Sequence, residues 1–394
     1  MTRNVSMPIA GLVLAAACAT TGTVTTITTP LPVSNDPPAT SGGTQPPSDT
    51  WAEHPVWPDP RGYAAMAYDW AEVVSVMFGG QLNQFDMSDE TWHYDHRAGQ
   101  WERIVTSGPP PRAAHAMAYD VAAKKMVMFG GIASRPTFCL NSALCGFSEF
   151  GDTWLYDAAD RQWHEIPVRG PSSRSGHRMA YDVDSGVVVL FGGWQTTDPR
   201  SPLRGTVFDD TWVFDTEEMT WQEMTPEPSP PPRAFQLMAY DEASDRVVMW
   251  GGAPAKEIDT SVWAYDFESN TWTEQPQDLD APHVRHNTSF VYDQGAGRLL
   301  TVGGVGLITT TSGRITETST DWFDELWAYD LATNSWQALP GPGGGLTGHA
   351  TSFDRLDGRL LWFGGAIGIR RPWDSLLEFD PTTNEWTDLT RSGS

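Results

Sequence analysis

Lys125-Met126-Val127-Met128-Phe129-Gly130-Gly131 is an unbroken apolar run closed by a glycine pair. The same ending recurs at Phe78-Gly79-Gly80, Phe191-Gly192-Gly193 and Phe363-Gly364-Gly365, with Trp250-Gly251-Gly252 and Val302-Gly303-Gly304 as near-copies. A run without alternation is expected of a strand covered on both faces. A glycine pair suits a backbone that must turn in a crowded place where no Cβ fits. A phosphate cradle would need a lysine and a helix start after the glycines, and none of the six pairs is followed by them. The pairs are read as architecture.

Aligning the chain on these pairs exposes an internal repeat, which sets the fold before any local reading. Each unit opens with an Arg and reaches an Asp eight residues later: Arg61/Asp69, Arg112/Asp120, Arg174/Asp182, Arg233/Asp241 and Arg285/Asp293, with Leu346/Asp354 as the variant. The first Gly stands ten residues beyond that Asp in all six units. After a variable gap comes Trp-x-aromatic-Asp, as in Trp92 to Asp95, Trp154 to Asp157, Trp212 to Asp215, Trp263 to Asp266 and Trp327 to Asp330, with Leu377 to Asp380 in the sixth copy. A further Trp follows six residues after each of these Asp residues, at Trp101, Trp163, Trp221, Trp272, Trp336 and Trp386.

Each unit therefore holds four short strands, and the Asp closing an aromatic-Asp strand is placed to bond turn amides. Four-stranded units repeated about fifty residues apart build a β-propeller. The double glycine, the Tyr-Asp and the spaced Trp resemble the kelch repeat, from Trp51 to about Thr390. The resemblance implies an all-β fold: a six-bladed β-propeller of four-stranded antiparallel kelch blades, occupying residues 51–394. The Trp residues are expected to fill the seams between blades, so that Trp212→Ala lowers the melting temperature by many degrees. Trp51 stands before Arg61 much as Trp101 stands before Arg112, so it reads as an extra fourth strand. It could close the ring by joining the last blade and displacing the Trp386 strand; the sequence leaves both arrangements open.

Composition narrows the function classes. With 25 Lys+Arg against 50 Asp+Glu the net charge is −25, which opposes binding to nucleic acid or to an anionic membrane surface. Arg3 followed by an apolar stretch from Met7 to Ala17 reads as a signal peptide over residues 1–17, too short to span a bilayer. Leu14-Ala15-Ala16-Ala17-Cys18 resembles a bacterial lipobox, with Ala15 where the motif usually has Leu. The expectation is a lipid on Cys18, the alternative being ordinary cleavage that leaves Cys18 unmodified. Residues 18–50 carry this anchor and a Thr-, Pro- and Ser-rich segment with too little apolar surface to fold. The expected location is the cell envelope, lipid-anchored at a bacterial outer membrane, otherwise periplasmic or secreted. Cys139 and Cys145, close together in one loop, are expected to pair as a local disulfide, because the loop has no histidine to complete a metal site.

In an antiparallel blade the constant turns share one face and the variable connections the other. From the second Gly to the third-strand Trp or Leu the gaps are 12, 23, 19, 11, 23 and 12 residues. Recognition usually resides on such loops. They carry Arg200, Arg204, Arg314, Arg370 and Arg371 with Trp194, Trp322 and Trp373, a mixture suited to a protein or glycan partner; the competing reading is that the aromatics fold back on the propeller. Arg112, Arg174, Arg233 and Arg285 point to the same face. With acids at Asp89, Asp152, Asp210, Glu325 and Asp374 they read as a structural ion-pair ring, the alternative being a central pocket for an anionic ligand.

The kelch resemblance also covers copper oxidases and sialic acid mutarotases. The oxidase site needs a Cys near its Tyr ligands, and no cysteine here is suitably placed. His115, His177 and His349 occupy equivalent positions, which invites a metal reading, but their units are not all adjacent and the pattern often has a structural His there. No catalytic residue, metal or cofactor is assigned. The expected function is a monomeric, non-catalytic scaffold that binds an envelope protein or glycan through its variable-loop face. The alternative is a carbohydrate-active enzyme with its site at the channel mouth.

Overall fold

The computed structural model describes residues 5–6, 56–83, 86–135, 146–197, 204–254, 260–276, 278, 280–312, 315–345, 347–366 and 373–390. Cys18, Trp51, Cys139, Cys145, Arg200, Arg314, Arg370 and Arg371 lie outside these, and Arg204 is described by its backbone alone.

Six four-stranded antiparallel sheets follow one another along the chain. The first contains Ala65–Asp69, Val74–Phe78, Thr91–Asp95 and Gln100–Ile104, paired in that order. The second contains Ala116–Asp120, Lys125–Phe129, Thr153–Asp157 and Gln162–Ile166. The remaining first strands are Arg178–Asp182, Leu237–Asp241, Val291–Asp293 and Ala350–Asp354. These first strands neighbour one another in sequence, and Ala350–Asp354 meets Ala65–Asp69, so the sheets close as a six-bladed β-propeller around a channel. Trp386 lies in Glu385–Asp388, the fourth strand of the sixth blade. Among the described residues the last blade has its four strands from one stretch of chain, with the Trp386 strand as its fourth.

The second strands are buried on both faces: Met126, Val127, Met128 and Phe129 are all fully enclosed. Each fourth-strand Trp reaches back to the preceding blade. Trp163 packs on Phe78 with ring centroids 4.9 Å apart, Trp221 on Phe129 at 5.2 Å, Trp272 on Phe191 at 5.4 Å and Trp101 on Phe363 at 5.2 Å across the last seam. Three of these indole N–H groups donate across the same seams, from Trp163 to Thr91 Oγ1 and from Trp221 to Thr153 Oγ1 at 2.9 Å, and from Trp272 to Thr211 Oγ1 at 3.0 Å. The third-strand Trp212 is only half-buried and donates to Asp210 at 2.8 Å. Sealing the seams is mainly the work of the fourth-strand indoles. The aromatic-Asp carboxylates take turn amides as the sequence implies; Asp69 Oδ1 accepts from Ala71 and Glu72 at 2.8 and 3.0 Å.

The glycine pairs staple neighbouring blades. Both members have positive φ, as at Gly192 (67°) and Gly193 (105°). The second Gly donates its amide to the carbonyl of the next blade's opening Arg: Gly80 to Arg112, Gly131 to Arg174 and Gly193 to Arg233, each at 2.9 Å, with Gly365 to Arg61 at 3.0 Å closing the circle. A Cβ on Gly192 would lie 2.5 Å from the Arg233 carbonyl oxygen. Gly192→Ala is expected to lose about 1–2 kcal/mol from left-handed backbone alone, with the clash added. Chemical denaturation would check this; a loss no larger than that of Gly186→Ala, where φ is also positive but the Cβ meets open space, would show that the close approach is immaterial.

Candidate functional site

The opening arginines are built into the blades. In blade two, Arg112 donates Nε to the Pro110 carbonyl at 3.2 Å, Nη1 to the Gly130 carbonyl at 2.9 Å, and both Nη atoms to Asp152 at 2.7 Å. Arg174 repeats the pattern with Ser172, Gly192 and Asp210. Arg61 pairs with Glu90 at 2.7 Å and Arg285 with Glu325 at 2.9 Å. Arg233 donates to the Gly251 carbonyl at 3.2 Å, and Ser261 stands where the other blades place the acid. Bidentate geometry and burial make these structural clamps. Three are also covered by an aromatic: Arg112 by Phe150 at 4.0 Å, Arg174 by Phe208 at 3.9 Å and Arg285 by Phe323 at 4.2 Å. Burial presses the Arg61 and Arg285 guanidinium groups toward neutrality, while their Glu partners oppose that. Burial likewise opposes ionisation of Asp152, but bonds from Arg112 and Trp154 outweigh it and hold the carboxyl below its usual range.

One partner differs from the sequence expectation. The acid that matters lies two residues before the third-strand Trp, so Glu90 replaces Asp89, which is exposed. Asp374 is offset in the same way; Ser375 occupies the equivalent position, and Asp374 accepts Trp57 Nε1 through its backbone carbonyl at 3.1 Å.

Two residues past each opening position, the backbone forms a closed circle of six hydrogen bonds. Ala114 donates to Tyr63 and Gly176 to Ala114 at 2.9 Å; Phe235 donates to Gly176, Asn287 to Phe235 and Gly348 to Asn287 at 2.6, 3.1 and 2.7 Å; Tyr63 donates to Gly348 at 2.5 Å. All six residues have positive φ. This circle narrows the channel on the variable-loop side, and Ala114, Phe235, Ile132 and Trp194 pack over it with Tyr63 and Val207. Trp194 is therefore 5% exposed, folded into the cap and not presented to solvent.

Inside the circle lie His115, His177 and His349, and His286 stands one residue before the circle's Asn287; all four are buried. His115 sits edge-on to Phe78 and His177 to Phe129, at 5.5 and 5.4 Å between ring centroids. Burial lowers His115 and His349 to about 3 and His286 to about 4, so each is neutral at pH 7. Among the described residues no group of three His, Cys, Asp or Glu side chains is placed to hold a metal ion. A cavity of 130 Å³ is lined by His115, His349, Arg178, Ser289 and Thr351 together with Met66, Met117, Met179 and Met238. It opens toward the constant-turn face, where a wider space of 200 Å³ is ringed by Tyr68, Tyr119, Tyr181, Tyr240 and Tyr292.

Arg178 is the channel residue that the repeat reading missed. Blades one, two, four, five and six have Ala65, Ala116, Leu237, Ser289 and Ala350 at its position. A lone arginine in an otherwise small or apolar column was the available signal. The guanidinium crosses from blade three to blade five, where Nη2 donates to the Thr288 carbonyl at 3.0 Å.

On the variable-loop face, three gaps that read as loops fold as hairpins: Ile132–Arg135 with Gly146–Glu149, Trp194–Thr196 with Arg204–Val207, and Val305–Ser312 with Ile315–Trp322. The third is the longest, with eight residues per strand. Its root is fixed by reciprocal bonds between His286 and Val305 at 2.9 and 3.1 Å. Trp322 is half-buried where this hairpin rejoins blade five. Trp373, at 43%, is the exposed aromatic of this face among the described residues.

A family profile for the KLHDC2/KLHL20/DRC7 Kelch-repeats domain matches residues 48–239 and 203–394. Kelch domain-containing protein 10 of Xenopus tropicalis is similar at 24% identity over 273 residues, covering 66% of this chain and 58% of that protein. The Xenopus laevis counterpart is similar to the same extent. An F-box/kelch-repeat protein of Arabidopsis thaliana is 31% identical over 156 residues, covering 36% of this chain and 28% of that protein. This chain thus spans well under two thirds of the length of these relatives. With the repeat, the blades and the profile in agreement across residues 48–394, the chain belongs to the Kelch-repeat domain family.

Proposed function

We propose that this propeller is a non-catalytic scaffold, exported and held to the envelope by a lipid on Cys18, that binds a protein partner through its variable-loop face. The observation that carries the reading is the set of three hairpins raised from one kind of connection on a rigid ring. Strands of eight residues give the Val305–Trp322 hairpin about 25 Å of paired backbone, a long edge on which a partner can dock. Exposed Trp373 adds an apolar anchor of the kind that dominates binding energy. Narrowing of the channel beneath this face by the backbone circle and its cap favours surface recognition over chemistry in a deep pocket. Glycans are the other ligand class suited to loops rich in Trp and Arg. The monomeric state and the tether over residues 18–50 complete the proposal.

The test shortens the long hairpin without disturbing its root. Leu307 and Thr320 face each other in register, so residues 308–319 can be replaced by Asn-Gly, a turn matched to strand twist. Capture of an envelope protein from extract should fall at least tenfold while the unfolding temperature holds. Undiminished capture would place the binding surface elsewhere. Cys18→Ser should move the full-length protein from the detergent phase to the aqueous phase, and an unchanged partition would remove the lipid from the proposal.

A further inference from the structure

Arg178 presents a charge problem that the blades do not solve. Its partners are two backbone carbonyls, Thr288 at 3.0 Å and His177 at 3.5 Å, the second at the limit of a hydrogen bond. Nε has no partner, and no carboxylate pairs with the guanidinium among the described residues. The opening arginines of blades one, two, three and five are differently placed: Arg61, Arg112, Arg174 and Arg285 each hold an acid. Arg178 is half-buried, with Nε enclosed, and its guanidinium remains protonated at any physiological pH. A charge drawn partly out of water with no carboxylate beside it favours an anion in the adjoining space.

The space beside it is suited to such an occupant. The 130 Å³ cavity and a smaller one of 30 Å³ are both lined by Arg178, His115 and His349. Neither lining includes an Asp or Glu. His115 brings unpartnered ring nitrogens, and Ser289 and Thr351 bring hydroxyls, whereas His349 spends its N–H on Thr288 Oγ1, whose own hydrogen goes to the Val302 carbonyl. A neutral imidazole offers one N–H, so the wall carries one full positive charge and several donors. We propose that this cavity is a binding site for one small monovalent anion, held by Arg178 with a ring N–H of His115. A single cation matches a single negative charge, which favours a halide or a small monocarboxylate over a phosphate or sulfate. The volume exceeds what one water needs and leaves room for the ion with water around it. Access runs from the constant-turn face past Met66, Met117, Met179 and Met238, whose unbranched side chains yield readily.

The unfolding temperature of the intact protein should be followed while sodium bromide, or separately sodium acetate, replaces sodium gluconate at constant ionic strength. Constant ionic strength removes the general screening of the −25 charge. The expected result is a saturable rise of several degrees with bromide, with acetate or with both, which also distinguishes the two anion classes. Arg178→Met should abolish the dependence on anion identity. Crystals soaked in bromide should show an anomalous peak beside the Arg178 guanidinium, a measurement independent of whether the variant folds. A flat titration with both anions, together with a cavity that holds water only, would overturn the proposal. So would an Arg178→Met protein with the full anion response.

Discussion

Trp272→Ala is expected to lower the unfolding free energy by about 3–5 kcal/mol, the usual loss for a large aromatic removed from a core. At roughly 2–4 °C per kcal/mol for domains of this order of size, the melting temperature should drop by about 6–20 °C. Trp272 is fully enclosed, its ring lies against Phe191 and Tyr265, and its N–H satisfies the buried Thr211 hydroxyl. Its loss would open the seam between blades three and four and leave that hydroxyl without a donor. Trp212→Ala should have the smaller effect, because that indole is half-buried and acts mainly by orienting Asp210. Calorimetry on both variants decides the matter. If Trp212→Ala proved the more damaging, the seams would not be what holds the blades together.

The buried histidines should make the propeller less stable as pH falls below the ordinary imidazole range. His93, His115, His177, His286 and His349 are all held below the ordinary imidazole value, chiefly by burial; His93 and His286 fall to about 4, and His115 and His349 to about 3. In the unfolded chain the same rings take up protons near pH 6.5. Between about 6.5 and 4 the unfolded state therefore binds more protons, so stability is fully present above that window and declines as pH falls through it. Each histidine that stays neutral costs about 2 kcal/mol of stability between pH 7 and pH 5. Five such groups set an upper limit of about 10 kcal/mol on the combined loss. Burial raises Asp182, Asp241 and Glu378, which works in the opposite direction, and relief of the −25 net charge does the same. The histidine contribution can be isolated. Blade four already has Gln236 in the position of His115 and His177, with Nε2 donating to the Phe191 carbonyl at 2.7 Å. The double variant His115→Gln/His177→Gln should lose about 4 kcal/mol less than the parent between pH 7 and pH 5. Urea titrations at the two pH values would measure this, and identical pH dependence would mean that these rings titrate in the fold.

The architecture was legible because its determinants are periodic. Fixed intervals from Asp to Gly and from Asp to Trp report turns and strands of constant length, and such geometry leaves a direct trace in spacing. The ion-pair ring was legible in kind, yet Asp89 was taken for Glu90 because adjacent acids differ only in which face of the chain they occupy, a matter of one residue in register. The hairpins at Ile132, Trp194 and Val305 read as loops because cross-strand pairing is set by contacts that spacing does not encode. Trp194 looked like an exposed anchor for a related reason. Whether a loop aromatic points outward or folds back depends on Phe235 and Ile132, which are distant in sequence. Arg178 was hidden by the repeat itself, since attention to what recurs passes over the single position that departs from it.

Among the described residues each blade is woven from one stretch of chain, and the sixth shares no strand with the first. The junction between them consequently lacks the shared sheet that could latch a toroid shut. It rests on Gly365 bonded to Arg61, Tyr63 bonded to Gly348, Trp101 against Phe363 and Trp57 hooked to the Asp374 carbonyl. The other five junctions have comparable contacts and also a covalent crossing. Under load or heat, the molecule should therefore begin to unwind at this one break in the circuit, with its terminal blades peeling away first.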